Sequence, residues 1–249
     1  MTRSIEFNSV DLSDYGLVVM GASINRQPQT PNALQLHDRA VAGPSGRRPR
    51  IIPIRFMVTA TTRAQLDTYL DAIKLAIVTE DEAELRRDTL SGRYWNAVLA
   101  EFDGDYISPI AFSGWMNFQC ADPRAYDDTE TSSDYNIDAD PKTVTEAVGG
   151  TDYARPVYTL TAGENLVDVT IEVESLETGE VIEWTGSLAN TEVLEIDTAN
   201  FLVEKEGAAS MATVSGEFPR LMPNQNNRIQ VTGFSTTGTL NIKYRDTYL

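Results

Sequence analysis

Along most of the chain, apolar residues recur at every second position. Ile5, Phe7 and Val10, then Leu17 and Val19, alternate with polar neighbours, which is the period of half-buried strands, and Asp14-Tyr15-Gly16 reads as a turn between them. Gln35 to Arg50 breaks the pattern: Gly43-Pro44 and Ser45-Gly46 punctuate loops, so a long excursion or extended hairpin is expected before a strong strand over Ile51 to Val58. One segment has the helical period instead. Leu66, Tyr69, Leu70, Ile73 and Ile77 fall on one face, with Arg63, Asp67, Asp71 and Lys74 on the other. Thr62-Arg63-Ala64-Gln65 fits a capping box, in which the hydroxyl and the amide satisfy orphan backbone donors at the helix start. A single-sided stripe predicts a helix that covers a sheet. It runs into Thr79-Glu80-Asp81-Glu82, read as a solvated loop, and strands follow at Ala83 to Arg87, Arg93 to Glu101 and Ile110 to Cys120.

Beyond residue 129 no helical stripe occurs. Short runs at Val157–Leu160, Val167–Glu174, Val181–Trp184, Val193–Ile196, Phe201–Glu204, Ile229–Val231 and Leu240–Tyr244 are separated by turn residues, which suggests a β-sandwich or barrel of jelly-roll type. Leu176 to Glu180 reads as a hairpin turn, and Glu206-Gly207 as another. Pro223 and Asn224 suit the centre of a β-turn, since Pro presets φ and Asn tolerates φ > 0. The two alternating runs after it read as a closing β-hairpin.

Charge divides the chain. Met1 to Asp128 holds 13 Lys and Arg against 17 Asp and Glu, a balance of −4, whereas Thr129 to Leu249 holds 7 against 20, a balance of −13. The change falls in the polar run Asp127 to Asp134, which reads as a linker, so the expected domains are 1–128 and 129–249. The first is α+β and the second nearly all β, giving a mainly β protein with one helix. A net charge of −17 argues against a phosphate-gripping nucleic-acid binder, which needs clustered Lys and Arg. No apolar run approaches a bilayer crossing, and Met1-Thr-Arg-Ser-Ile-Glu-Phe opens an alternating pattern unlike a signal peptide, so membrane insertion is not expected.

Candidate chemistry is thin. The single cysteine, Cys120, lies in a strand-like run and reads as buried filler; the single histidine, His37, lies beside Asp38 in a loop-like stretch. Neither phosphate-cradling glycine motif occurs, so no enzyme activity and no cofactor are expected. Asp134-Tyr135-Asn136-Ile137-Asp138-Ala139-Asp140 has the alternating oxygen donors of an EF-hand loop, but Ala139 stands where Gly is needed and Thr145 where a bidentate Glu is needed, so a solvated linker is expected rather than a metal site. Arg47, Arg48 and Arg50 form the basic cluster, a candidate contact with an acidic neighbouring subunit. Tyr153, Tyr158 and Trp184 are candidate sugar-contact aromatics, the basis of an alternative reading as a carbohydrate-binding adsorption module.

Two stretches carry a resemblance. Phe118-Gln119-Cys120-Ala121-Asp122-Pro123-Arg124-Ala125-Tyr126 is similar to the strand and Asp-Pro turn that close the N-terminal domain of distal tail (Dit-type) proteins of long-tailed phages. Gly216-Glu217-Phe218-Pro219-Arg220-Leu221-Met222-Pro223-Asn224-Gln225-Asn226-Asn227-Arg228 and the strands after it resemble that family's closing segment, with Asn224 where relatives carry Gly. The order of elements matches too. The resemblance implies a tail-tube-like first domain forming a ring, expected to be a hexamer, that joins the tail tube to the baseplate or tail tip and lets DNA pass. It implies a peripheral second domain that is a galectin-like or carbohydrate-module-like sandwich, with an OB-like barrel as the alternative. The implied partners are further copies of the chain, the tail tube protein, and baseplate hub, tail-fibre or receptor-binding proteins. The implied location is the virion tail tip, after assembly in the host cytoplasm.

Overall fold

The alternating segments of the first half pair into one antiparallel sheet in a computed structural model, which describes residues 4–22, 49–234 and 236–249. The chain divides into two compact units, Met1–Ala125 and Tyr126–Leu249. In the first, β1 (Ile5–Phe7), β2 (Val10–Asp11), β3 (Leu17–Ala22), β4 (Arg50–Thr59), β5 (Ala83–Arg87), β6 (Arg93–Ser108) and β7 (Ala111–Cys120) lie in the order β2-β1-β5-β6-β7-β4-β3. Gly16, at φ 67°, ends the short 3-10 turn Leu12–Tyr15 and aims the chain into β3. Helix α1 (Arg63–Ile77) links β4 to β5.

The helix forms where its stripe predicts. Leu66, Leu70, Ile73 and Ile77 are buried, and each such side chain contributes about 1.5–3 kcal/mol on leaving water. Thr62 is the N-cap, accepting the Gln65 N–H at 3.2 Å. The return bond differs from the expected box: Gln65 Oε1 accepts from the N–H (3.0 Å) and hydroxyl (2.6 Å) of Thr61, one residue earlier than Thr62. Phe102 stacks on Phe112 (6.2 Å between centroids) and lies tilted against Phe56 (5.2 Å) on the inner face of the sheet. Strand β6 runs to Ser108, seven residues past the expected end at Glu101: a register shift between Leu99 and Glu101 resets the alternation, after which Glu101, Asp103 and Asp105 alternate with Phe102, Gly104 and Tyr106.

The second unit is a sandwich of two open antiparallel sheets around one core. After the short strand β8 (Ala125–Asp127), which with β20 (Thr247–Tyr248) lies outside both of these sheets, its strands are β9 (Thr131–Ile137), β10 (Lys142–Val148), β11 (Val157–Ala162), β12 (Leu166–Ser175), β13 (Glu180–Leu188), β14 (Val193–Asp197), β15 (Leu202–Lys205), β16 (Ala208–Ala209), β17 (Val214–Gly216), β18 (Gln225–Thr232) and β19 (Gly238–Tyr244). One sheet has the order β10-β18-β12-β13-β17 and the other β16-β15-β14-β11-β19-β9. Neither closes on itself, so the OB-like barrel alternative does not describe this unit. Leu160, Ile182, Trp184, Leu194, Ile229, Leu240 and Ile242 are among the buried residues between the sheets.

Two expectations need correction. The run read as a linker becomes strand from Thr131 onward: Ser132, Asp134 and Asn136 face solvent while Ile137 is buried, and a polar edge strand shows only a weak apolar period. The closing hairpin is not one. Strands β18 and β19 both exist, yet β18 pairs with β10 and β12 while β19 pairs with β11 and β9, in the opposite sheet. Alternation reports which face a residue takes, not which strand lies beside it. The turn before β18 is as expected, with Asn224 at φ 55°.

Candidate functional site

Antiparallel sheets with one covered face usually turn polar residues outward. The first unit departs from that rule on β3, β4 and β7. Residues pointing away from the buried face include Ile51, Pro53 and Met57 on β4, all half-buried, together with Met20 (52% exposed) on β3 and Trp115 (49% exposed) on β7. Apolar residues gathered on the outward face of a sheet make it a candidate contact surface.

Registered across β4, β7 and β6, the face is built of three rungs: Pro53–Asn117–Glu101, Arg55–Trp115–Asp103 and Met57–Ser113–Asp105. The Arg55 guanidinium lies 5.7 Å from the Trp115 ring centroid, and Asn117 Nδ2 donates to Glu101 at 2.6 Å. The β6 end of every rung is a carboxylate. In the same two strands Gly104 pairs with Gly114, and a Cβ on Gly114 would stand 2.1 Å from Asp103 O, so only glycine fits there. The hairpin tip beyond carries exposed Tyr106, Ile107 and Ile110. Tyr106 is fixed to the helix: its hydroxyl donates to Asp67 at 2.9 Å, and the Arg63 guanidinium lies 3.5 Å from its ring centroid. The Tyr106 bond, with help from Arg63, holds the Asp67 carboxyl below its ordinary pKa.

Of the basic cluster, Arg50 opens β4 opposite Cys120, and burial lowers its pKa; Arg47 and Arg48 lie outside the described residues, as does His37. Cys120 is fully buried, and desolvation pushes its thiol up to about 12, so it is filler rather than nucleophile. Glu82 is more than a solvated loop residue, since its carboxylate accepts the Ala121 N–H at 2.9 Å.

The proposed sugar aromatics are corrected in part. Tyr158 (0% exposed) and Trp184 (2% exposed) are core side chains whose rings face the opposite sheet, and the Trp184 indole N–H donates to Ser210 at 2.9 Å. Tyr153 is half-buried with the Arg220 guanidinium 4.7 Å from its ring. Aromatics at alternate strand positions point inward with the rest of their face. The acidic stretch 134–140 is distributed among separate bonds: Asp134 accepts from Asn241 (2.8 Å), Asp138 pairs with Lys142 (2.5 Å), and Asp140 accepts the Gly233 N–H (2.9 Å). Sequence reasoning missed the β6 carboxylate row and Trp115. The spacing Glu101-x-Asp103-x-Asp105 was the available signal, a charged row at strand period.

No family model matches the chain, and no curated protein is similar to it. Among solved structures, the chain is similar to the Dit protein of phage SPP1, described as a paradigm of the hub adsorption apparatus in phages infecting Gram-positive bacteria. The identity is 13%, all of both chains is covered, and the TM-score is 0.72. It is also similar to chains of the phage P2 baseplate in its activated conformation, with calcium and with strontium. There the identity is 11%, 98% of each chain is covered, and the TM-score is 0.50. Along its whole length, the chain has the fold of a Dit hub protein.

Proposed function

We propose that the protein is a structural component of a phage tail tip, a distal tail protein whose first unit forms a ring joining the tail tube to the baseplate. The observation that carries this reading is the similarity to the SPP1 Dit protein over all of both chains, spanning two units of different architecture. The open sheet face supports it. A closed ring needs a heterologous contact, and the apolar band of Ile51, Pro53, Met57 and Trp115 supplies a surface for one. The row Glu101, Asp103 and Asp105 suits a channel wall that repels phosphate and does not retain DNA in transit. Arg47, Arg48 and Arg50 then reach an acidic neighbour, and six copies close the ring.

In this reading the second unit is the peripheral, galectin-like domain. The tail tube protein and baseplate or receptor-binding proteins are the partners, the virion tail tip is the location, and assembly occurs in the host cytoplasm. The role is structural and non-enzymatic. Mass photometry of the purified chain with negative-stain images tests it: a ring with a central hole is expected, and a monomer at every concentration would sink the proposal. Deleting residues 43–50 should reduce the assembly, and an unchanged mass would remove the basic segment from the contact.

A further inference from the structure

The two sheets of the sandwich have four edges, and three are closed to further pairing among the described residues. Strands β16 and β17 are only two and three residues long. Strand β10 is longer, but its Thr145 carbonyl accepts the Tyr135 hydroxyl and its Ala147 carbonyl accepts the Tyr244 hydroxyl, each at 2.9 Å. Tyrosines of the opposite sheet thus occupy the groups that a new strand would use. Burial pushes the Tyr135 hydroxyl up to about 12, the Glu146 contact adding to it, so it remains a donor over the working range.

The fourth edge has none of these protections. Strand β9 is seven residues long and pairs with β19 without a break in register, from Thr131–Tyr244 to Ile137–Gly238. It contains no proline, no lysine and no bulge, three of the devices by which natural proteins blunt an edge, and its one charged residue is Asp134, whose carboxylate accepts from Asn241. Apart from the pairing with β19, the backbone contact recorded for β9 among the described residues is Asn241 Nδ2 on Ser133 O at 3.4 Å, and Asn241 belongs to β19 itself.

Charge selects what can add there. Asp134 lies at the midpoint of β9 and is exposed, flanked at alternate positions by exposed Ser132 and Asn136. If two copies paired through this edge in antiparallel fashion about its centre, Asp134 would meet Asp134, and directly opposed like charges destabilise a pair. Glu130 just before the strand adds negative charge at that end, while Asp138 just after it is paired with Lys142. We infer that the outer edge of β9 is a strand-addition site that takes an extended, basic segment of another protein chain. A Lys or Arg of that segment sits opposite Asp134, and small polar residues sit beside Ser132 and Asn136. Main-chain bonds hold the segment, and the Asp134 pairing selects it.

The full-length chain can be titrated with a peptide of about eight residues alternating Lys and Thr, long enough to span β9, and with counterparts carrying Glu or Gln in place of Lys. The Lys peptide should bind, the other two should not, and amide exchange should slow along β9 while β10 is unchanged. Asp134→Lys, an exposed change, should weaken the Lys peptide about tenfold and admit the Glu peptide. Absence of binding, protection elsewhere, or indifference to the substitution would overturn the assignment. So would concentration-dependent self-association lost in Asp134→Lys, because the edge would then serve a second copy. Ring formation does not enter this test, so the site and the tail-tip reading fail separately.

Discussion

Glu82 lies between α1 and β5, and burial holds its carboxyl above the ordinary pKa, with the Ala121 N–H opposing that shift and the Asp122 charge adding to it. The folded state therefore binds this proton more tightly than the unfolded chain does. Its contribution to stability is fully present below the unfolded value of about 4.3 and is lost as pH rises through the raised folded pKa. Glu82→Gln keeps an acceptor for Ala121 and removes the charge. The variant should melt above the parent at neutral pH and converge with it in acid; parallel melting curves at all pH values would contradict this. A second carboxylate effect is set by register. Glu172 stands opposite Glu183 across β12 and β13, with Ser215 donating to Glu183 at 2.9 Å. Replacing the repulsion by attraction with Glu172→Lys should stabilise the second unit by about 0.5 kcal/mol, and a double-mutant cycle with Glu183→Gln should recover most of it.

Helix α1 is the element that the sequence specifies most completely, since its stripe, its cap and its termini all lie within one local window. Thr62→Ala should cost about 1 kcal/mol in chemical denaturation, because the Gln65 N–H loses its acceptor. Thr61→Ala should cost less, as its N–H can still bond Gln65. The strands were legible as strands for the same local reason, whereas their neighbours were not. Nothing in Ile229–Val231 or Leu240–Tyr244 encodes that β18 and β19 fall in different sheets. Strand β9 was hidden by its polar outward row, and the second half of β6 by its acidic one, because an exposed row removes half of the apolar signal. The site residues failed on the same point. Tyr158 and Trp184 were candidates as aromatics, but their alternation with polar neighbours already placed them inside. Trp115 breaks alternation outward, which is the rarer and more informative event.

For the molecule as a whole, a net charge of −17 sets the terms of assembly. Bringing copies together raises like charge around any shared channel, most sharply if Glu101, Asp103 and Asp105 of neighbouring copies converge on it. That repulsion is long-ranged at about 10 mM salt, where the screening length is about 30 Å, and short-ranged at about 1 M, where it is about 3 Å. The apolar band of Ile51, Met57 and Trp115 responds in the opposite sense to the acidic row, since burial of apolar surface does not weaken as salt is added. Assembly should therefore grow with ionic strength, as read by mass photometry across that range. The variant Glu101→Gln, Asp103→Asn, Asp105→Asn separates the two contributions: it should assemble at lower salt than the parent and show a shallower salt dependence. Trp115→Ala should weaken assembly at every salt concentration without changing the slope. If the triple variant kept the parent's salt dependence, the row would not face its own copies, and the channel assignment would fall while the apolar contact stood.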